Sequence, residues 1–173
     1  MNILIEGQPR AGKTTICRML MDHTGVDARG FVTEEIRNEG KRVGFMVEFN
    51  NGESRVLSHI DYADGPIVGK YTVDLETMDW VVEKMEGWRG VSPQFLVVDE
   101  IGKMELKHDE FPERVEELLD SEQTFLGTIP TGGSQFVNKI RDREDVIIVE
   151  LTKDNREEVL ERLVEMMGLH REL

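Results

Sequence analysis

The strongest constraint on this chain is a short glycine-containing stretch near its N-terminus. Residues Gly7–Thr14 read Gly-Gln-Pro-Arg-Ala-Gly-Lys-Thr and fit G-x-x-x-x-G-K-[ST], the pattern of a phosphate-binding loop. The apolar run Ile3–Ile5 before it predicts a buried strand, and Ile16–Met21 after it predicts a helix. Strand, glycine loop and helix in this order are the context that the motif requires, so the sequence predicts a phosphate site at the start of this helix.

The chemistry of the loop follows from its backbone. Successive N–H groups that point inward bind an anion, and the helix N-terminus adds a partial positive charge. Lys13 supplies a full charge to the β- and γ-phosphates, Thr14 offers a hydroxyl ligand to Mg²⁺, and Thr15 reaches the α-phosphate. We therefore predict that a nucleotide contacts the whole loop: Gly7, Gln8, Pro9, Arg10, Ala11, Gly12, Lys13, Thr14 and Thr15.

Arg10 stands where many such loops carry glycine, and its Cβ is expected to strain the turn. Two roles for its side chain are open at this point. It is a solvated arginine on the rim of the loop, or it is a cation that the chain itself directs at the γ-phosphate.

The composition limits which partners the chain can have. Its 173 residues, 39% hydrophobic and 32% charged, suit one domain over residues 1–173 with a sizeable core. A formal net charge of −14 disfavours nucleic acid and anionic membranes, which most of the surface would repel. A nucleotide can still bind, because salt screens charges beyond about 8 Å and the loop acts within that range. The sequence leaves protein partners unknown.

The single cysteine and the length of the apolar runs indicate the cellular compartment in which the protein is found. Cys17 cannot form an internal disulfide, which fits a reducing cytoplasm. No signal peptide precedes the first predicted strand, and no apolar run is long enough to cross a bilayer. We therefore expect a cytoplasmic protein.

After the first helix, which is expected to stop near Thr24–Gly25, the pattern changes to that of strands. Period-two segments at Gly30–Arg37, Val43–Phe49 and Arg55–Leu57 are separated by turn residues, of which Asn38–Gly40 favour a hairpin. These segments predict an antiparallel meander inserted after the first strand–helix unit.

The rest of the chain predicts strands that alternate with helices. Helices are predicted after an N-cap at Asp74, over Pro112–Leu119 and after a capping box at Asp154–Glu157. Strands are predicted over Phe95–Val98, Thr124–Ile129 and Val146–Leu151. This alternation indicates an α/β domain with a mostly parallel central sheet, as in the P-loop NTPases.

Two adjacent acids follow the apolar strand Phe95–Val98 and supply the second half of the predicted site. Asp99 ends a run of four apolar residues, which is the Walker B pattern, and is expected to hold Mg²⁺ opposite the loop. The side chain of Glu100, the next residue, points in a different direction from that of Asp99. It can deprotonate a water in line with the γ-phosphate. Glu100 and Lys13 are thus the candidate catalytic residues, and Thr14 and Asp99 the candidate metal ligands.

Two further residues are weaker candidates. Lys103, three positions after Glu100, is either a phosphate contact or a surface lysine. Thr128, near the tip of another predicted strand, either donates a hydrogen bond to the γ-phosphate or is an ordinary strand threonine.

At these residues the chain resembles the thermophilic-type nucleoside-triphosphatase family. Besides the loop, the matching segments are Gly30–Glu35, Val43–Phe45, Gly69–Asp74, Val98–Leu106 and Gly127–Pro130. They span nearly the whole chain in order. The string Asp99–Leu106, read as DEIGKMEL, is far more distinctive than the loop alone.

The resemblance implies a RecA-like three-layer sandwich with a strand inserted between the phosphate-loop strand and the Walker B strand. It also implies slow Mg²⁺-dependent hydrolysis of ATP, GTP, CTP and UTP to the diphosphate and phosphate, with Lys13, Thr14, Asp99 and Glu100 in the roles argued above. The chain departs from the family at Arg10, and Thr131–Ser134 stand where some members have basic residues. The source of any cation for the γ-phosphate is therefore open.

Two other functions remain open from the sequence. A nucleotide or nucleoside kinase would use Glu34 or Glu35 as the base for an acceptor hydroxyl, although no lid with paired arginines is evident. A guanine-nucleotide switch would use Asp99–Gly102 as D-x-x-G and Thr152–Asn155 as T-K-x-D, but Asn155 replaces the aspartate. Asn155 and Arg156 either lie near the base or simply start the last helix.

Overall fold

The computed structural model describes residues 1–23 and 25–169, and in these residues a nine-stranded sheet is flanked by five α-helices. The strands are β1 (Asn2–Gly7), β2 (Ala28–Asn38), β3 (Lys41–Phe49), β4 (Ser54–His59), β5 (Ile67–Val68), β6 (Tyr71–Val73), β7 (Phe95–Val98), β8 (Phe125–Ile129) and β9 (Val146–Leu151). The helices are α1 (Lys13–Met21), α2 (Leu75–Glu86), α3 (Phe111–Asp120), α4 (Gln135–Arg141) and α5 (Arg156–Met166), with a 3₁₀ turn at Glu105–Lys107.

The strand order is β5-β6-β4-β3-β2-β7-β8-β1-β9. Strands β2, β7, β8, β1 and β9 are parallel, whereas β3, β4, β6 and β5 continue the sheet in antiparallel pairs. β8 lies between the phosphate-loop strand β1 and the Walker B strand β7, which confirms the predicted inserted strand. The inserted antiparallel meander is confirmed as β2–β4.

Helices cover the two faces of the sheet, because the central strands send alternate side chains to opposite sides. Ile3 and Ile5 of β1 pack into the core under α1 and α5, while Leu4 between them packs into the core under α2, α3 and α4. In β7, Val97 and Val98 divide in the same way. The α/β class with three layers is therefore confirmed.

Strand β2 is longer than its parallel neighbour, and this excess shapes the site. Only Ala28–Phe31 pair with β7, while the strand continues to Asn38 with β3 as its partner. The second half of β2 therefore stands beyond the carboxyl end of β7 and flanks the crevice where open α/β sheets bind ligands.

Three short elements were not predicted. The two-residue β5 and the three-residue β6 fall in a stretch without periodicity, and β6 is held by pairing with β4. Helix α4 has seven residues; its signal was Ser134, whose hydroxyl accepts a hydrogen bond from the Val137 N–H. In the described part of the chain, no helix has both the length and the apolar character needed to cross a membrane.

The ends of two predicted helices need comment. Helix α1 ends at Met21, and Thr24 of the predicted stop lies outside the described residues. The predicted capping box at Asp154–Glu157 is wrong. Helix α5 is preceded by Asn155, whose side chain makes no cap hydrogen bond because it bonds to its own loop instead.

The close approach of β2 to β7 at Gly30 gives a test of this register. A Cβ at Gly30 would lie 2.5 Å from the carbonyl oxygen of Val97 and 2.9 Å from its nitrogen. Because buried strand backbone cannot move aside easily, we expect Gly30→Ala to lower the free energy of unfolding by about 3 kcal/mol in urea titrations. The control Gly132→Ala, which meets no atom within 4 Å, should change it by less than about 0.5 kcal/mol. Equal stability of the two variants would contradict the register.

Candidate active site

The phosphate loop joins β1 to α1 in a conformation that needs two left-handed residues. Gly12 has φ 110°, and Arg10 has φ 66°, which is unusual for a residue with a Cβ. The Ala11 N–H donates to the Gln8 carbonyl at 3.1 Å and closes the turn. The Arg10 side chain is exposed, as is Thr15, and both residues line the cleft beside the loop.

Lys13 is buried beneath the loop, with 7% of its surface exposed. Its Nζ donates to the carbonyl oxygens of Gly7, at 2.8 Å, and Ile129, at 3.2 Å. It also lies 3.0 Å from Oε2 of Glu100. The ammonium group therefore joins the ends of β1, β8 and β7, and it is held where the loop backbone converges.

Asp99 accepts hydrogen bonds from three other elements and is buried at 1% exposure. Its Oδ2 accepts from the Thr14 hydroxyl at 2.7 Å and from the Thr33 N–H at 3.4 Å, and its Oδ1 accepts from Thr128 at 2.6 Å. Burial raises the pKa of Asp99 to about 6, although the donors from Thr128 and Thr14 oppose that rise.

Thr128 is fully buried, and its hydroxyl is committed to Asp99. The structure thus places it beneath the carboxylate, and Thr128 is not among the residues that line the cleft, so its contact with a γ-phosphate stays a prediction. Lys103, by contrast, is exposed and lines the cleft. It forms no ion pair with a described residue.

Glu105 is a site residue that the sequence did not single out. It has 3% exposure, and its Oε1 accepts from the Thr33 hydroxyl at 3.2 Å. Burial, reinforced by the negative charge of Glu100, raises the pKa of Glu105 to about 8. A Cβ at Gly102 would lie 2.7 Å from Oε1 of Glu100 and 3.1 Å from Oε2 of Glu105, so glycine there allows both acids to approach. The signal available was an acid between the apolar Met104 and Leu106.

Arg156, at the start of α5, closes the outer side of the loop. Its Nε donates to the carbonyl of Ala11 at 2.7 Å, and its Nη2 donates to that of Arg10 at 3.1 Å. The guanidinium packs so closely on Gly12 that a Cβ there would be 2.7 Å from Nε. Arg156 therefore supports the loop backbone from the β9 side.

Asn155 does not face the cleft. Its Oδ1 accepts from the Thr152 N–H at 2.8 Å and its Nδ2 donates to the Glu150 carbonyl at 3.0 Å. Both ends of the side chain are used by strand β9 and the loop after it, so the structure does not support the predicted contact with a base.

One open cleft of about 1230 Å³ extends from the phosphate loop past the acids to the meander. At its far end lies a surface that we call the meander wall, formed by Glu35, Arg37, Arg42, Phe45, Val68, Gly69 and Tyr71. The lining holds six Lys and Arg residues against five acids, in a chain whose net charge is −14. Positive charge is thus concentrated in the cleft, which favours an anionic ligand there.

The two acids considered as kinase bases are paired with arginines. Glu34 is in contact with Arg18, and Glu35 accepts from Arg37 at 2.6 Å and from Arg42 at 3.2 Å. The charge of these arginines lowers the pKa of Glu35, although burial opposes this. Both carboxylates are therefore bound to arginines, as Glu100 is bound to Lys13 at the loop.

The candidate metal ligands are few. Thr14 and Asp99 are hard oxygen donors in contact with each other beside the loop, which suits Mg²⁺ with most ligands supplied by water and phosphate. Within the described residues, no group of three or more His, Cys, Asp or Glu side chains could hold a metal ion by itself.

Known proteins resemble this chain over nearly its whole length. A family model described as NTPase matches residues 2–164. Nucleoside-triphosphatase THEP1 of Thermotoga sp. (strain RQ2) is 37% identical over 171 residues, which cover 99% of this chain and 98% of that protein. The human cancer-related nucleoside-triphosphatase is 34% identical over 179 residues, covering 94% of each.

Solved structures give the same result for the fold. The crystal structure of THEP1 from the hyperthermophile Aquifex aeolicus superposes with a TM-score of 0.88 at 30% identity, covering 96% of this chain and 99% of that one. The solution structure of a human cancer-related nucleoside triphosphatase gives 0.78 at 33% identity, with 95% and 96% covered.

The buried acid Glu105 predicts a pH dependence of stability. Between its ordinary pKa of 4.5 and about 8, the folded chain keeps a proton that the unfolded chain has lost. The stability that this proton contributes is therefore fully present below pH 4.5 and is lost as the pH rises through 8. At about 1.4 kcal/mol per pKa unit, the loss amounts to several kcal/mol. In urea titrations at pH 5 and pH 8 we expect Glu105→Gln to lose much less stability than the parent over this interval. Parallel pH profiles would contradict the assignment.

Proposed function

This chain belongs to the NTPase family of nucleoside-triphosphatases, and on that premise we propose that it catalyses Mg²⁺-dependent hydrolysis of ATP, GTP, CTP and UTP to the diphosphate and phosphate. The observation that carries the proposal is the 3.0 Å contact between Lys13 Nζ and Glu100 Oε2 beside the Thr14–Asp99 pair. Phosphate-binding and water-activating groups meet at one edge of the sheet.

In the proposed reaction, the loop amides and Lys13 hold the β- and γ-phosphates. Water attacks the γ-phosphorus, the bond to the β–γ bridging oxygen breaks, and the diphosphate leaves. Glu100 accepts the proton of the attacking water; 32% of its side chain is exposed, so water can reach it. Lys13 stabilises negative charge on the transferred group.

The metal would be held by the Thr14 hydroxyl and the Asp99 carboxylate, directly or through water. Bound Mg²⁺ supplies neutralisation of the phosphate charge. Thr33 and Thr128 position Asp99 by their hydrogen bonds, so the carboxylate faces the loop whether or not it is protonated.

Broad base tolerance is supported by the end of the cleft next to β9. Asn155, which stands where a guanine-reading motif has aspartate, uses both polar groups within its own loop. This argues against a guanine-nucleotide switch. A kinase is less well supported than a hydrolase, because the sequence shows no lid with paired arginines to clamp an acceptor and the relatives are named nucleoside-triphosphatases.

The proposal also covers the domain organisation, the location and the partners of the protein. Residues 1–173 act as one domain in a reducing cytoplasm, which the single, buried Cys17 thiol supports. The net charge of −14 supports a protein without a nucleic-acid or membrane partner.

A turnover panel tests the reaction. We expect phosphate release from ATP, GTP, CTP and UTP with kcat/KM values within about tenfold of one another, because both polar groups of Asn155 are bonded inside the protein and so are not offered to a base. Removing Mg²⁺ with EDTA should reduce release to background. A preference of more than about a hundredfold for one base, or transfer of γ-label to added nucleosides faster than to water, would contradict the proposal.

Two substitutions separate binding from chemistry. Lys13→Ala should lose affinity for the triphosphate, whereas Glu100→Gln should bind it normally and lower kcat at least about a hundredfold. The matched control Glu144→Gln removes an exposed carboxylate outside the cleft and should hydrolyse at the parent rate. Single-turnover rates and equilibrium binding distinguish the cases. Normal hydrolysis by Glu100→Gln would remove that residue as the base.

A further inference from the structure

We propose that the meander wall is a second ligand site, which takes a small aromatic anion of nucleoside-monophosphate size while a triphosphate occupies the phosphate loop. The inference rests on the proposed function for the position of the triphosphate. It starts from the size of the cleft, since about 1230 Å³ exceeds the 300–1000 Å³ or so of most small-molecule sites.

The strand order places the two ends of the cleft on opposite sides of the acids. β7, which carries Asp99 and Glu100 at its end, is two strands from β1, or about 10 Å at the usual spacing. β3, which carries Arg42 and Phe45, is four strands from β1, or about 19 Å. The meander wall therefore lies beyond the acids as seen from the phosphate loop.

A triphosphate on the loop does not fill this far end. Its terminal phosphate lies at Lys13 and Glu100, which contact each other, and the rest of the nucleotide extends back over the loop. Arg156 marks that opposite side, because it bonds to the loop from the start of α5. A molecule on the meander wall thus faces the terminal phosphate from the side of Glu100.

Arg42 is the centre of the wall and is held by two hydrogen bonds from its guanidinium. Its Nε donates to the Tyr71 hydroxyl at 2.8 Å and its Nη1 to Oε1 of Glu35 at 3.2 Å. Its guanidinium carbon lies 5.3 Å from the ring centre of Phe45 and 5.7 Å from that of Tyr71. No described residue accepts a hydrogen bond from Nη2 of Arg42, and 38% of the Arg42 side chain is exposed.

The surroundings of Arg42 specify the kind of ligand. Phe45 is half-buried and stands edge-on to Tyr71, with ring centres 5.3 Å apart, and a planar ring stacks favourably on such a guanidinium and aromatic surface. Lys103, which is exposed, lines the same cleft and has no ion-pair partner among the described residues, adds a cation for an anionic group. An aromatic ring that carries a phosphate satisfies both features.

The test uses the full chain saturated with Mg²⁺ and a nonhydrolysable triphosphate analogue. AMP, GMP, CMP and UMP are titrated by calorimetry, with adenosine and ribose 5-phosphate as probes of the two halves of the ligand. We expect one monophosphate to bind at one equivalent with a Kd below about 1 mM, and each half to bind at least about tenfold more weakly. Arg42→Gln and Phe45→Leu should each weaken the monophosphate at least about tenfold.

The control is Arg55→Gln, because Arg55 is an arginine of the same meander that also stacks on an aromatic ring, at 4.5 Å from the centre of Trp80, but does not line the cleft. It should bind the monophosphate as the parent does. Thermal unfolding and analogue binding show which variants are folded.

Three results would overturn the proposal: no monophosphate binding up to about 10 mM, binding only when the analogue is absent, or unchanged affinity in folded Arg42→Gln and Phe45→Leu. Phosphate release by the parent is measured in parallel. A chain that hydrolyses triphosphates but binds no monophosphate contradicts only the second site. A chain that binds both ligands without hydrolysis contradicts only the proposed reaction.

Discussion

The rest of the structure depends on one buried carboxylate. Asp99 accepts hydrogen bonds from Thr14 of α1, Thr33 of β2 and Thr128 of β8, and it stands at the end of β7. Four separate elements are thereby fixed relative to one another at the carboxyl edge of the sheet. A carboxylate removed from water costs free energy unless donors surround it, so these hydroxyl and amide groups are needed as much as the acid itself. These hydrogen bonds fix the position of the phosphate loop relative to the Walker B strand.

The charges around this carboxylate explain why the site suits an anion with its metal. Asp99, Glu100 and Glu105 lie within seven residues of the chain, and burial raises the pKa of Asp99 and of Glu105. Lys13 is the cation in direct contact with this group, through Glu100. A bound triphosphate would pair with Lys13 in place of Glu100, and Mg²⁺ would then neutralise the negative charge of the acids. The cleft, lined by six basic and five acidic residues, is less negative than the chain as a whole with its net charge of −14, which reduces the repulsion of an anionic ligand there.

Much of the fold and the centre of the site could be predicted because they depend on local patterns. The loop motif, the apolar run before Asp99 and the alternation of strands and helices each act over a few residues, and the resemblance supplied the strand inserted between β1 and β7. The parts that could not be predicted depend on contacts between distant segments. β6 forms only because β4 is available to pair with it, and Glu105 is buried only because the 3₁₀ turn folds back against Thr33. The hydrogen bond from the Thr128 hydroxyl to Asp99 and the hydrogen bonds of the Asn155 side chain could not be predicted for the same reason.

The central claim is that backbone amides and Lys13 hold the terminal phosphates while Asp99 and Glu100 face them from the end of β7. A crystal structure with Mg²⁺ and a nonhydrolysable triphosphate analogue tests it most directly. The account predicts the γ-phosphate within hydrogen-bond distance of Lys13 Nζ, with a water between its phosphorus and the Glu100 carboxylate. An analogue bound away from the loop, or a Glu100 carboxylate directed away from the γ-phosphorus, would contradict it.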